Sequence, residues 1–250
     1  MSRTVSHASR RRRRTARATG TPAGDMELLA RVPYFASLSA AELRELASRC
    51  ASRTFGLETA LFEEGDPCHG LLIIAEGAVE VRQVSQRGRE QVFHTEGPGA
   101  TLGEGPLFDR GGYIASAIAT APTRALFLPR AYVLALCRRR PEVALAMLET
   151  LSRRLRGFAE IVADLAFRPV AERVARYLAA LSARRRSRAL ELPLTQTQLA
   201  ARVGTVRELV ARALAELQRS GVIARTHSTI VIRNPERLAA LARGEASEKV

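Results

Sequence analysis

The chain contains no tryptophan and no long apolar run free of charge. Its longest candidates, such as Leu71-Leu72-Ile73-Ile74-Ala75, are of strand length, whereas a membrane-spanning helix needs about twenty apolar residues. Cysteine is sparse. Cys50, Cys68 and Cys137 are odd in number and far apart, with neither metal-ligand spacing nor a disulfide framework, which suits a reducing cytoplasm. A nucleophile elbow, a glycine-rich nucleotide loop and an HExxH pair are all missing, so neither catalysis nor a metal site is expected. No apolar stretch follows the arginine run at residues 10–14, which excludes a secretory signal.

What is present suits two domains with ordinary cores: 250 residues, 46% of them hydrophobic. Residues 194–219, LTQTQLAARVGTVRELVARALAELQR, read as two short amphipathic helices joined at Val203-Gly204-Thr205. Thr195 with Gln198, and Thr205 with Glu208, have the spacing of capping boxes. Val206, Leu209, Val210, Ala213, Leu214 and Leu217 form an apolar stripe along the second helix, opposite Arg207, Glu208, Ala211 and Arg212. Arginine can donate twice to guanine and glutamate can accept from cytosine, so Arg207, Glu208 and Arg212 are candidate base readers. Thr195 and Thr205, at the two helix starts, are further candidate DNA contacts. Solvated surface charge is the competing explanation for the arginines, and a helix-dipole cap the competing one for Glu208. Ser220-Gly221 then supplies a stop, and residues 222–232 read as two β-runs around a polar turn, a wing after the second helix.

Charge is distributed accordingly. Of the net +14, residues 1–24 carry +7, residues 169–243 carry +9, and residues 25–168 carry only −1. A positive reader beside a neutral middle suits phosphate binding, with affinity that falls as salt rises; arginine-rich codon usage is the alternative. Residues 1–25 read as a disordered basic tail, either adding nonspecific phosphate affinity or inert, with Met26 as an alternative start.

A helical pattern runs from Glu27 to about Arg53, with Ser39 as an N-cap before Glu42. Short β-type runs separated by glycines follow between Phe55 and Leu128, the pattern of a jelly-roll barrel, and the barrel domain is placed at 26–140. Over 141–168, Leu148, Leu151, Leu155, Phe158, Val162 and Leu165 alternate steps of three and four, a coiled-coil seam that predicts a homodimer; packing on the chain's own barrel is the alternative. Arg168-Pro169 interrupts that helix and is the expected hinge, with Pro169 at the first position of the next helix. Residues 169–243 form the winged helix-turn-helix domain and 244–250 a tail. The fold class is α+β.

The chain resembles the cyclic-AMP receptor and fumarate–nitrate regulator (CRP/FNR) superfamily. The resemblance rests on Phe62-x-x-Gly65-Asp66, Gly77-x-Val79, Gly88-Arg89-Glu90, Gly103-Glu104-x-x-Leu107-Phe108, Pro141, Leu165-Ala166-Phe167 and Val203-Gly204-x-x-Arg207-Glu208-x-x-x-Arg212. It implies a sensing barrel, a long dimer helix and a winged helix that regulates transcription. Arg207, Glu208 and Arg212 would read a TGTGA-type half-site in an inverted repeat of double-stranded DNA, with RNA polymerase as a partner.

The resemblance also defines an effector pocket, and there the chain departs from it. Gly103 and Glu104 remain, and Glu104 could accept from a ribose hydroxyl. Ile114-Ala115 stands where nucleotide binders carry Arg-Ser, and Phe158-Ala159 where the cyclic-AMP receptor offers Thr-Ser. A phosphate without its cation is costly to bury, so cyclic AMP is disfavoured, although Arg110 or Arg124 could substitute. A more apolar small-molecule effector, haem held by His69, His94, Cys68 or Tyr113, and a purely structural barrel remain as readings of the pocket. A ligand-binding regulatory module without DNA reading is the alternative function, against which residues 169–237 speak.

Overall fold

The computed structural model describes residues 22–109, 111–191, 195–226 and 229–245. Expectations for residues 1–21, Arg110, Leu194, the wing turn at 227–228 and the end of the tail lie outside these. Two compact units emerge: residues up to Val81 with His94–Leu151, and Arg82–Phe93 with residues from Ser152 onward. The division crosses the long helix between Leu151 and Ser152, whereas the sequence pattern places boundaries at that helix's ends.

The first unit opens with α1 (Pro22–Arg31), a 3-10 turn (Pro33–Phe35) and α2 (Ala40–Arg49). Ser39 accepts from the Glu42 N–H while the Glu42 carboxylate accepts from the Ser39 N–H, the expected capping box. The helical pattern does not continue to Arg53. Residues of β1 (Ala51–Phe55) pair antiparallel with β8 (Thr123–Pro129), and that ladder overrides helical propensity. Nor does the folded chain begin at Met26: Asp25 already lies in α1, and its carboxylate stands 2.7 Å from Arg124 Nη1.

The remaining barrel strands are β2 (Ala60–Phe62), β3 (Gly70–Glu76), β4 (Val79–Val84), β5 (Glu90–Glu96), β6 (Thr101–Leu102) and β7 (Ser116–Ala119). They form two four-stranded sheets, in the orders β1-β8-β3-β6 and β2-β7-β4-β5. Strand β3 is buried on both faces. Leu71 and Ile73 join Leu126, Leu128, Tyr34, Phe35, Val133 and Met147 in one core, while Leu72 and Ile74 alternate to the other side. Helix α3 (Glu104–Asp109) follows β6, and α4 (Arg130–Arg139) leads into α5 (Pro141–Phe167).

In the second unit, α6 (Val170–Arg185) starts one residue later than expected, with Pro169 as its N-cap. Strand β9 (Ala189–Glu191), α7 (Gln196–Val203), α8 (Arg207–Arg219), β10 (Ile223–Arg225), β11 (Thr229–Ile232) and α9 (Pro235–Arg243) follow. Strand β9 pairs with β11 and widens the expected two-stranded wing to three strands. Val174, Leu178, Leu199, Val210, Leu214, Leu217, Ile230 and Leu238 share the core beneath it. Among the described residues, no helix is long and apolar enough to cross a membrane.

Candidate nucleic-acid interface

The two helix starts that look equivalent in sequence differ in structure. Thr195 caps α7 as expected, accepting from the Gln198 N–H at 3.2 Å while its own N–H donates to Gln198 Oε1 at 2.8 Å. Gly204 then adopts the left-handed conformation at φ 66° and ends that helix. The Thr205 N–H is drawn back to the Ala200 carbonyl at 3.0 Å. Thr205 therefore completes α7 instead of capping α8, the expected Thr205–Glu208 box does not form, and Val206 becomes the N-cap without a side-chain bond.

Helix α8 buries Val210, Ala213, Leu214 and Leu217 against the core. Leu209, expected in that stripe, is 39% exposed and belongs to its edge. Arg207, Glu208 and Arg212 are exposed, with Arg207 and Glu208 in the first turn, where the helix dipole is positive and backbone N–H groups point outward. Three hydrogen-bonding side chains thus share one solvent face at the start of a rigidly packed helix.

Arg173 of α6 secures the turn from below. Its Nη1 donates to the carbonyls of Val203 at 2.6 Å and Gly204 at 3.0 Å. Burial pulls this guanidinium below its ordinary range, and Asp164 opposes that shift. Sequence reading missed Arg173, whose charge in α6 was its only signal.

The expected effector residues are differently disposed. Glu104 is buried, and the Tyr34 hydroxyl donates to its Oε1 at 2.8 Å. The Thr101 hydroxyl contacts the same oxygen and lies 3.0 Å from the Tyr34 oxygen. Burial, and then the charge of Glu104, push the Tyr34 hydroxyl above its ordinary range. Gly103 has φ 101°, Ala115 is buried, and Ile114 is 68% exposed. Phe158 lies in the other unit, edge-on to Phe93 with ring centroids 5.2 Å apart. Arg124, a candidate substitute cation, is held by Asp25 at 2.7 Å and Glu76 at 2.9 Å.

The residues named as candidate haem ligands lie in four different settings. Tyr113 is buried and stacked on Phe62 with centroids 3.6 Å apart, and Cys68 points its thiol at the Gly70 and Gly103 carbonyls. His94 lies 3.1 Å from Glu96, and His69 is exposed.

On α5, Leu148, Leu155, Val162 and Leu165 are exposed, and Leu151 and Phe158 half-buried. Leu145 and Phe167 add further exposed apolar surface.

Comparison with known proteins resolves the family. Residues 52–140 match the cyclic nucleotide-binding domain and residues 172–241 the Crp-like helix-turn-helix domain. A CRP-like cAMP-activated global transcriptional regulator from Mycobacterium tuberculosis is 33% identical over 87% of this chain and 99% of its own length. The chain belongs to the CRP/FNR family of transcription regulators. The cyclic AMP receptor protein of Thermus thermophilus is 34% identical over 86% of the chain and 98% of its own length. A solved CRP/FNR-family transcriptional regulator from that organism is 26% identical and superposes with a TM-score of 0.62, covering 77% of this chain and 98% of its own. In this CRP/FNR member, the whole of α5 falls between the two matched domains.

Proposed function

We propose that the chain is a homodimeric, sequence-specific DNA-binding regulator that reads an inverted-repeat, TGTGA-like operator and answers to an effector other than cyclic AMP. The observation that carries the reading is the exposed trio Arg207, Glu208 and Arg212 at the start of α8, aimed by the Gly204 turn. Thr195 and Thr205, on either side of α7, contact phosphates flanking the half-site. The apolar row on α5 supports pairing with a second copy, and a twofold dimer calls for a palindromic site. RNA polymerase is the partner through which such a regulator acts in the cytoplasm.

Both relatives named above bear cyclic AMP in their names. Here the cassette pair Ile114-Ala115 offers no cation, Arg124 is committed to two carboxylates, and Glu104 is engaged by Tyr34 and Thr101. These features favour a less polar effector, because a buried phosphate needs charged partners. Genome-wide DNA binding of the untagged protein, with motif extraction, tests the reading. An inverted TGTGA-like repeat is expected, and enrichment without a symmetric motif would overturn it.

A further inference from the structure

Residues of β5, α5, α6 and α7, all within the second unit, surround a cavity of about 210 Å³. Its walls are of two kinds. Ile161, Tyr177 and Val203 supply apolar surface, while Arg173, Arg176 and Arg202 stand against a single carboxylate, Asp164. The exposed Ala180 marks the mouth. None of the residues expected to form the effector pocket lines it.

The charges are unevenly matched. Asp164 Oδ1 accepts from Arg176 Nη1 at 2.8 Å and lies 2.9 Å from Arg168 Nε, so its charge is already answered. Arg173 Nη1 is spent on the Val203 and Gly204 carbonyls, which are neutral acceptors. Its Nε is buried and, among the described residues, has no hydrogen-bond partner. A buried N–H without an acceptor is costly, and Nε with Nη2 forms the guanidinium edge that a carboxylate grips through two parallel hydrogen bonds. Arg202 adds a second positive charge to the same wall.

Size narrows the class of ligand. An engineered apolar cavity of about 150 Å³ takes up benzene, whereas drug-sized ligands occupy about 300–1,000 Å³. The volume here lies between those values. A benzene-sized ring bearing one carboxylate suits that interval, and a nucleotide belongs to the larger pockets. An inorganic anion would leave the apolar wall uncovered.

We propose that this cavity is a binding site for a small aromatic carboxylate. The ring covers Ile161, Tyr177 and Val203, the carboxylate takes the Nε–Nη2 edge of Arg173, and Arg202 supplies a second counter-charge.

Isothermal titration of the full-length protein with benzoate tests the proposal, with benzamide as the neutral counterpart and inorganic phosphate as the anion without a ring. Benzoate should bind saturably, one per chain, and at least about tenfold more tightly than either control. Arg202→Gln should weaken benzoate by about tenfold, and Ala180→Phe should close the mouth and abolish saturable binding. Circular dichroism checks that both variants fold, and where Ala180→Phe folds poorly Arg202→Gln decides alone. Equal affinity for benzoate and either control would overturn the assignment. So would an absence of saturation at millimolar benzoate, or binding that survives the substitutions unchanged.

Discussion

Arg140 Nη1 stands 2.6 Å from Glu42 Oε1, joining the start of α5 to the start of α2. With the Ser39 N–H and hydroxyl as the larger contributors, this contact holds the Glu42 carboxyl down at about 2, against an ordinary 4.5. A carboxyl depressed on folding contributes stability that is complete above its ordinary value and is lost as pH falls through the folded one. The window is therefore pH 4.5 to about 2. Ser39→Ala should move the Glu42 titration, followed by NMR, upward by about one pH unit and flatten acid unfolding across that window. A Glu42 midpoint that stayed near 2 would show that the residue-39 N–H and Arg140 suffice without the hydroxyl.

Tyr34→Phe removes a hydroxyl donor from the buried Glu104 carboxylate. Leaving a buried acceptor short of a partner costs about 1–3 kcal/mol, so the urea midpoint should fall with its slope unchanged. An unmoved midpoint would mean that Thr101 and the other neighbours suffice.

Arg207→Ala should weaken binding to the cognate site by about 1–3 kcal/mol and relax a guanine preference at one position of the half-site. Fluorescence anisotropy on cognate and substituted duplexes measures both. An equal loss on every sequence would make Arg207 a phosphate contact.

Leu155, 69% exposed at the middle of the α5 row, is the point at which to open the proposed pairing. Leu155→Asp places a charge in an apolar seam and should yield monomers in sedimentation equilibrium, with operator affinity lowered in parallel. A persisting dimer would place the interface elsewhere.

The sequence was readable where a local rule and its tertiary setting agree. The Thr195–Gln198 box forms as spaced, the glycine turn lies at Gly204, and the short β-type runs at Ala60–Phe62, Leu71–Ala75 and Arg124–Leu128 lie in strands. Thr205–Glu208 has the same spacing and fails, because the backbone conformation at Gly204 commits the Thr205 N–H to the preceding helix. Short elements such as β1 and β9 owe their state to the strands they pair with, and carry no period of their own. Glu104 was legible as a motif residue, but its partner Tyr34 lies 70 residues earlier, and no local spacing signals such a contact.

The Tyr34–Glu104 contact also sets a threshold for ligands. A tethered hydroxyl acts at an effective concentration on the order of millimolar or higher, so any free sugar or alcohol seeking this carboxylate meets a competitor that never dilutes. A hydroxyl addressed to that same Oε1 would have to displace the Tyr34 hydroxyl.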